Sequence, residues 1–361
     1  MITESLLEEI RRGREGKEQG YSTGLPKLEE YTDGACKGVY LLLGAESGVG
    51  KSSFILYSYI YRPLMEHLND NNFKISLFSL EMSAEKMMAK LLSTYIFEKY
   101  NIKLSVKKLL SVKKGYILND ENYQIVLKCT EWMKKVEKRL IIYDKKTTAS
   151  TIYTNILKEL ETEGIFEETD KRIIYHPHNP DLVHLVIIDH LARLFVSPGN
   201  TLKQEMDLAS KYLYSLKNKC NISPIVIQQM NRSIQSVERR KEGLLVPLTS
   251  DFKDTNSSVE DAEIILALFD PDKAKLNTHN GYSVKELDKK LRSIYVLKSR
   301  YGASSVEDCL YYDGEVNVWV ELPPADKITS YNKFKNPKWY EEDNEIIEDT
   351  KPNIKNLNFI L

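Results

Sequence analysis

The chain has 361 residues, of which 42% are hydrophobic and 29% are charged, and its formal net charge is −1. These proportions are ordinary for a folded globular protein, and the length predicts one large domain with appendages or two domains. The chain has no overall basic excess, so a surface for nucleic acid would have to be a local cluster of cations.

The cysteines and the apolar runs exclude further classes of protein. Cys36, Cys129, Cys220 and Cys309 are far apart and form no C-x-x-C pair, so neither a zinc site nor a disulfide framework is expected. This cysteine usage suits a reducing cytosol. The first residues lack the basic-then-apolar order of a signal peptide, and no apolar run approaches the ~20 residues that a membrane span needs.

The first predicted element is a short amphipathic helix at residues 2–16. Leu6, Leu7 and Ile10 share one face of this helix. A helix of this length cannot bury an apolar face by itself. We therefore expect residues 1–22 to be a docking arm, which packs elsewhere on the chain or on a neighbouring copy.

The next segment is typical of a nucleoside triphosphate site. An apolar run at Val39–Leu43 leads into a Gly-rich turn, then Lys51 and Ser52, then a helical stretch. Backbone N–H groups of such a turn surround phosphate oxygens at the positive end of the helix. Lys51 would bridge the β- and γ-phosphates, and the Ser52 hydroxyl would hold Mg²⁺.

The spacing of this turn departs from G-x-x-x-x-G-K-[ST], because Ala45 occupies the first glycine position and Gly44 lies one residue earlier. A Gly-rich surface turn would not explain the apolar run that precedes it. The predicted cofactor-binding residues are Gly44, Ala45, Ser47, Gly48, Gly50, Lys51, Ser52 and Ser53.

Strand-like and helix-like segments alternate after this point, which predicts an α/β fold with a mostly parallel sheet. The further predicted strands are Ile75–Leu80, Leu140–Tyr143, Leu182–Ile188, Ile225–Ile227, Ile264–Phe269 and Ile294–Leu297. The helices between them include Ala84–Tyr100, Glu121–Lys138, Thr151–Glu163 and Leu202–Cys220. In such sheets ligands bind beyond the carboxyl ends of the strands.

Two acids follow predicted strands. Asp189 ends the run that begins at Leu182, which is how NTPases place a carboxylate in the Mg²⁺ shell. Glu81 follows the second strand and could polarise the attacking water as a general base. The alternative for Glu81 is an acid stabilised by a helix dipole, because Ser83 resembles a helix cap.

Polar and basic residues follow the later strands. Gln228 and Gln229 come after Ile225–Ile227, where a Gln can contact a γ-phosphate. The loop beyond them carries cations that could contact nucleic-acid phosphates, although charge runs are often only solvated surface. Those cations are Arg232, Arg239, Arg240, Lys241 and Lys253. Lys298 and Arg300 lie on one side of an extended segment and could meet the phosphate of a neighbouring subunit's nucleotide.

The C-terminal part predicts two further features. Asp313-Gly314 between alternating residues is typical of a β-hairpin, which would add an antiparallel edge. Residues 325–361 form a tail with Trp339, Tyr340, an acidic cluster and an apolar end. This tail either binds a partner protein or is a solvated segment.

Taken in order, these motifs resemble the C-terminal motor domain of DnaB-type replicative helicases, a RecA-like ATPase family. The resemblance extends from about Gly24 to Leu322 and places the motor at residues 23–324. Its most specific pieces are Ser79–Ser83, Gln229–Arg232, Asp251–Ala262 and Lys298–Gly302. The G-A-x-S-x-x-G-K form of the phosphate turn is also similar to this family.

The resemblance implies a role for each motif. Lys51 and Ser52 would bind ATP, or another NTP, with Mg²⁺ that Asp189 supports. Glu81 would be the catalytic base, and Gln229 would link the γ-phosphate to the DNA-binding loop. Lys298 and Arg300 would act in trans on the ATP of a neighbouring subunit. The implied DNA contacts are Arg232, Arg239, Arg240, Lys253, Asp254 and Asn256.

The resemblance further implies a hexameric ring around single-stranded DNA that moves 5′ to 3′ and unwinds forked DNA. With such a role, the partner of the tail at residues 325–361 would be a replication protein, such as a polymerase or single-strand-binding protein. We expect the usual N-terminal domain that binds primase and loader to be absent, as in a phage or plasmid protein. Asn256 stands at a position of the DNA loop where this family usually has a glycine. Two alternatives remain, a RecA/RadA-like strand-exchange ATPase and a non-catalytic ring scaffold or loading partner.

Overall fold

The backbone alternates between helices and strands over most of its length. The computed structural model describes residues 2–169, 173–231, 234, 236–241, 245–252, 256–300 and 302–341. The helices are α1 (Ile2–Arg14), α2 (Pro26–Thr32), α3 (Lys51–Ile55), α4 (Arg62–His67), α5 (Ala84–Tyr100), α6 (Val106–Leu109), α7 (Asp120–Lys128), α8 (Thr130–Glu137), α9 (Ala149–Glu163), α10 (Leu202–Cys220), α11 (Val237–Lys241) and α12 (Asn256–Asp261).

The strands include all seven runs that the sequence predicts. They are β1 (Leu41–Ala45), β2 (Phe73–Ser79), β3 (Leu140–Tyr143), β4 (Gly164–Glu168), β5 (Ile173–Pro177), β6 (Val183–Asp189), β7 (Ser223–Gln229), β8 (Ile264–Phe269), β9 (Thr278–His279), β10 (Tyr282–Ser283), β11 (Leu291–Ser299), β12 (Val306–Asp313) and β13 (Val318–Glu321). A π-helical segment, Leu56–Tyr61, joins α3 to α4.

Within the described residues, nine strands form one sheet in the order β13-β12-β11-β8-β1-β7-β6-β2-β3. The six strands from β8 to β3 are parallel to one another, which confirms the predicted α/β class. The strands β11, β12 and β13 are antiparallel to their neighbours, so the predicted C-terminal hairpin is present. β1 lies between β7 and β8, near the middle of the sheet.

Both faces of the sheet are covered by helices and buried. Alternate residues of the central strands point to opposite faces and so join two different cores. In β1, Leu41 and Leu43 join a core with α3, the π-helical segment and α5. Leu42 instead joins a core with α9 and α10 on the other face. Burial on both faces explains why the central strands are nearly continuous apolar runs.

The C-terminal tail begins as a packed segment. Phe334 and Trp339 lie in a third apolar cluster with Tyr311, and Trp339 is 2% exposed. The side chain of Trp339 therefore cannot be a free anchor for a partner in this structure. The rest of the tail, residues 342–361, lies outside the described residues, and partner binding by residues 325–361 stays a prediction.

The N-terminal helix α1 forms as predicted, but its apolar face stays open. Leu6, Leu7 and Ile10 are 52%, 60% and 51% exposed. α1 is held to the body by an ion pair between Arg12 and Asp181, whose Nη1 and Oδ1 atoms are 2.7 Å apart. Among the described helices, none is both long and apolar enough to cross a membrane.

A half-buried acid joins α2, near the N-terminus, to β13, near the C-terminal end of the sheet. α2 begins at Pro26, so Lys27 and Leu28 lie in its first turn. The N–H groups of a first helical turn have no acceptors within the helix. The N–H groups of Lys27 and Leu28 both donate to Oε1 of Glu321 at the end of β13, at 2.8 and 3.2 Å. Burial raises the pKa of Glu321 to about 7, and the nearby Asp308 acts in the same direction.

This raised pKa predicts a pH-dependent stability. The folded state binds the Glu321 proton more tightly than the unfolded chain, so this contribution is present below the ordinary glutamate pKa and is lost as the pH rises through about 7. Glu321→Gln keeps an acceptor oxygen and removes the titration. We expect the unfolding free energy of Glu321→Gln, relative to wild type, to increase by on the order of 3 kcal/mol between about pH 4 and about pH 8.

Urea unfolding at several pH values measures this difference. The matched control is Glu137→Gln at an exposed position on α8. A difference between Glu321→Gln and wild type that does not change with pH would contradict the assignment.

Candidate functional site

The phosphate turn lies where β1 meets α3. Gly48 and Gly50 adopt left-handed conformations, with φ of 78° and 119°, and Gly50 is the residue before the first helical turn. The N–H groups of the turn and of the first turn of α3 are therefore available for an anion at the positive end of the helix.

The unusual spacing of the turn has a structural explanation. Ala45 is the last residue of β1, and its carbonyl accepts a hydrogen bond from the Met230 N–H at 2.9 Å. Gly44 lies inside β1 between β7 and β8, and an added Cβ would lie 2.4 Å from Phe252 Cζ. Gly44 is therefore a packing residue of the sheet, and the structure does not support its predicted contact with phosphate.

Lys51 is held over the turn. Its Nζ donates to the carbonyl oxygens of Ala45 and Glu46, both at 2.9 Å. The side chain is largely buried, and this burial lowers the pKa of Lys51 to about 8. A partly desolvated ammonium at this position is suited to a phosphate, because a bound anion would restore the lost solvation.

Ser52 and Asp189 meet across the sheet edge. The Ser52 hydroxyl donates to Oδ1 of Asp189 at 3.0 Å. Asp189 ends β6, is 3% exposed, and has a pKa raised by burial. A hydroxyl and a carboxylate that converge on one point are hard oxygen ligands, and this donor set fits Mg²⁺.

Glu81 lies beside Asp189 at the mouth of the site. The register of β2 and β6 pairs Ser79 with Asp189, and the turn that follows carries Glu81. Its carboxylate is half exposed and accepts a hydrogen bond from Arg193 at 3.1 Å. Glu81 lies two residues before the Ser83 cap of α5, and the acid in the first turn of α5 is Glu85.

Gln229 reaches the same edge from β7. The parallel register pairs Gln229 with Ala45, so its exposed side chain lies next to the start of the phosphate turn. Gln228 is 1% exposed and points into the body. The structure thus places Gln229 rather than Gln228 at the site.

Three cations near the turn were not predicted from the sequence. Lys90 on α5 donates to the Ser53 hydroxyl at 3.3 Å, and burial lowers its pKa. Arg292 donates from Nε to the Val49 carbonyl at 3.2 Å and pairs with Asp270. Lys273 donates to the Ser47 carbonyl. The sequence could have indicated Lys90, because this lysine lies between Met87 and Leu91, two apolar residues that are buried in the structure.

Lys298 and Arg300 lie at the opposite edge of the sheet from the phosphate turn, where the parallel strands begin. β11 is antiparallel to β8, and its register pairs Ser299 with Ile264, which is level with the start of β1. The length of β1 therefore separates them from the turn by ~13 Å or more. Lys298 Nζ donates to the carbonyls of residues 259 and 260, and Arg300 Nη1 lies 3.7 Å from Glu263 Oε1.

The predicted DNA loop is described only in part. Arg239 forms an ion pair with the buried Asp251 at 2.6 Å and also donates to the Val246 carbonyl. Arg239 therefore holds the loop together, and the structure does not support the predicted DNA contact. The other predicted contacts lie outside the described residues, either wholly or in their side chains: Arg232, Lys253, Asp254, Arg240 and Asn256.

Comparisons with known proteins agree with this geometry. The family model for the DnaB-like helicase C-terminal domain matches residues 20–318. The chain is 26% identical over 269 residues to the replicative DNA helicase DnaB of Helicobacter pylori, which is 74% of this chain and 47% of that protein. It is 23% identical over 319 residues to DnaB of Geobacillus stearothermophilus, which is 87% of this chain and 59% of that protein. The chain thus spans about half the length of the relatives it matches.

Solved structures show the same fold. A separately solved ATPase domain matches with a TM-score of 0.67 and 18% identity, over 90% of this chain and 99% of that domain. A DnaB-like replicative helicase, solved with its interactions with primase, matches with a TM-score of 0.65 and 19% identity, over 88% of this chain and 67% of that one. The RecA-like ATPase fold is therefore confirmed.

The two glycines of the turn provide a matched test of its geometry. A Cβ on Gly50 would lie 2.9 Å from Trp319 Cζ2, whereas a Cβ on Gly48 meets no atom within 4 Å. Gly48→Ala should cost only backbone strain of about 1–2 kcal/mol. We expect Gly50→Ala to weaken the affinity for Mg-ADP about tenfold more than Gly48→Ala does, because its φ of 119° is less accessible to alanine and because the turn must also move away from Trp319.

Isothermal titration calorimetry with Mg-ADP measures both affinities, and thermal unfolding verifies that each variant is folded. Equal losses of affinity in the two variants would contradict the proposed role of the Trp319 contact.

Proposed function

The chain belongs to the family of DnaB-like helicase C-terminal domains, and we propose that it is an ATP-driven motor that moves along single-stranded DNA and unwinds duplex DNA. The observation that supports this most is the convergence of Lys51, Ser52, Asp189, Glu81 and Gln229 at one sheet edge. A ring scaffold without catalysis would not need this complete set. The strand-exchange alternative is not favoured by the family match.

The residues at this edge suit ATP hydrolysis. The turn and Lys51 bind the phosphates, and Ser52 and Asp189 would hold Mg²⁺, which neutralises phosphate charge when bound. Glu81 accepts a proton from a water molecule as the water oxygen attacks the γ-phosphorus. The bond between the γ-phosphorus and its bridging oxygen breaks, and ADP and phosphate leave.

The opposite edge suits an assembly of several copies. Lys298 and Arg300 cannot reach the turn of their own chain, but they can meet a nucleotide bound at the facing edge of a neighbour. The open apolar face of α1 is a second surface that a neighbouring copy can cover. We propose a hexameric ring, as in the family that the sequence resembles, with 5′ to 3′ movement and with primase as a further partner.

Unwinding of a forked duplex with a 5′ single-stranded arm tests the function. Wild type should separate the strands in the presence of ATP and Mg²⁺. Glu81→Gln should bind ATP but lose hydrolysis by at least ~100-fold, because the attacking water loses its base. Unwinding that survives intact in Glu81→Gln would contradict the assignment of the base, and wild type without DNA-stimulated hydrolysis would contradict the motor.

Mixing two inactive variants tests whether the site is shared between subunits. Lys51→Ala damages the phosphate turn and Arg300→Ala damages the opposite edge. If Arg300 acts in trans, mixed assemblies contain some intact interfaces, and part of the ATPase activity should return. In the control mixture of Lys51→Ala with Glu81→Gln, both defects lie on the same side of the interface, so activity should not return.

Measured ATPase rates of the two mixtures decide between the arrangements. Recovery in neither mixture would show that Arg300 does not act on the nucleotide of a neighbour.

A further inference from the structure

A cluster of metal-ligating side chains lies on the antiparallel strands of the sheet. His279 of β9 and Glu307 and Cys309 of β12 each present one ligand atom, and these three atoms all lie within 4.8 Å of one another. Imidazole nitrogen, carboxylate oxygen and thiolate sulfur are the ligands that Zn²⁺ takes in proteins. The spacing of the cysteines indicates no zinc site, because His279 meets β12 only in the folded chain. The proposed motor function uses none of these three residues.

The strand register places two of the ligands side by side on one face. β11 pairs with β12 so that Ser293 lies opposite Cys309 and Tyr295 lies opposite Glu307. Residues two apart on a strand point to the same face, so Glu307 and Cys309 point the same way. The sheet therefore fixes the separation of these two ligands.

The third ligand comes from a tight turn. His279 ends β9 and pairs with Tyr282 of β10 across Asn280 and Gly281, whose φ values are 46° and 81°. Two consecutive residues with positive φ are typical of a type I′ turn, which joins two strands with little freedom. The His279 ring also packs against Phe269, with the ring centroids 5.3 Å apart. The imidazole is thus held in position before any ion binds.

The charge of the cluster also suits a cation. In the described part of the chain, Glu307 forms its only ion pair with His279, whose Nε2 lies 2.7 Å from Glu307 Oε1. The other cluster of this kind in that part of the chain, around His184, already holds the Lys74 ammonium, 2.6 Å from Glu159 Oε2. A divalent cation would supply the positive charge that Glu307 lacks.

Neighbouring side chains are arranged to support bound ligands. The Tyr295 hydroxyl donates to Glu307 Oε1 at 2.5 Å, and the Asn280 amide donates from Nδ2 to Cys309 Sγ at 3.7 Å. Donors of this kind orient metal ligands and stabilise a thiolate. Ligand atoms of a tetrahedral zinc site lie roughly 3.3–3.7 Å apart, so His279 Nε2 and Glu307 Oε1 would separate by less than about 1 Å.

We propose that His279, Glu307 and Cys309 bind one Zn²⁺ per chain. A water molecule would complete the tetrahedral coordination. When the ion binds, the thiol proton of Cys309 leaves to solvent and a Zn–S bond forms. Mg²⁺ does not compete, because it takes oxygen ligands in octahedral geometry. The ion would tie the β9–β10 turn to β12, beside the strand that carries Arg292, which contacts the phosphate turn.

Zinc titration of the full chain, after removal of metals with a chelator, tests the site. Cys309→Ser replaces the thiolate by a weak hydroxyl ligand, and His279→Gln removes the imidazole. Cys220→Ser is the matched control, because Cys220 is also a buried free cysteine and lies outside the cluster. We expect wild type and Cys220→Ser to bind one Zn²⁺ per chain and each ligand variant to bind it at least ~100-fold more weakly.

Two further measurements do not depend on the ligand variants. Co²⁺ in place of Zn²⁺ gives a sulfur-to-cobalt charge-transfer band only when a thiolate binds the ion, so wild type with CoCl₂ should show this band. Tyr295→Phe should weaken the affinity for Zn²⁺ about tenfold, because Glu307 loses the donor that orients it. Circular dichroism verifies that each variant is folded.

The same measurements can overturn the inference. Wild type that binds Zn²⁺ with a Kd weaker than ~10 μM, or an affinity that is unchanged in both ligand variants, would exclude the site. Bound Co²⁺ without a charge-transfer band would exclude Cys309 as a ligand and with it the proposed donor set. Binding of Mg-ADP is measured separately, so failure of the zinc site would leave the proposed function intact.

Discussion

The parallel pairing of β1 with β7 on one side and β8 on the other is the constraint on which the site depends. Parallel strands end at the same edge of a sheet, so residues that are far apart in sequence come together beyond their carboxyl ends. Lys51 follows β1, Gln229 ends β7, and Asp189 ends β6 two strands away. The Ser52 hydroxyl then donates a hydrogen bond to Asp189, which links the first turn of α3 to the end of β6.

The reversal of chain direction at β11 divides the cations of the molecule between two edges. Arg292 near the start of β11 supports the phosphate turn of its own chain through the Val49 carbonyl. Lys298 and Arg300 near the end of the same strand are placed at the far edge. In the proposed ring, β11 would therefore contribute to two nucleotide sites, and catalysis would depend on assembly.

Electrostatics at the phosphate edge is suited to a polyanion. Burial lowers the pKa values of Lys51, Lys90 and Arg292, which means that their charged forms are poorly solvated in the folded chain. A bound phosphate chain would supply the counter-charge that water no longer provides.

The sequence by itself determined the fold class, the phosphate turn and the two acids, because strand periodicity, Gly-Lys-Ser and strand-ending carboxylates are local patterns. It did not determine the direction of β11, the packing role of Gly44 against Phe252, the ion pair of Arg239 with Asp251, or the contact of Lys90 with Ser53. Those features depend on which distant segments meet. Strand pairing and side-chain contacts between such segments arise only when the whole sheet and its covering helices assemble, so tertiary structure alone decided them.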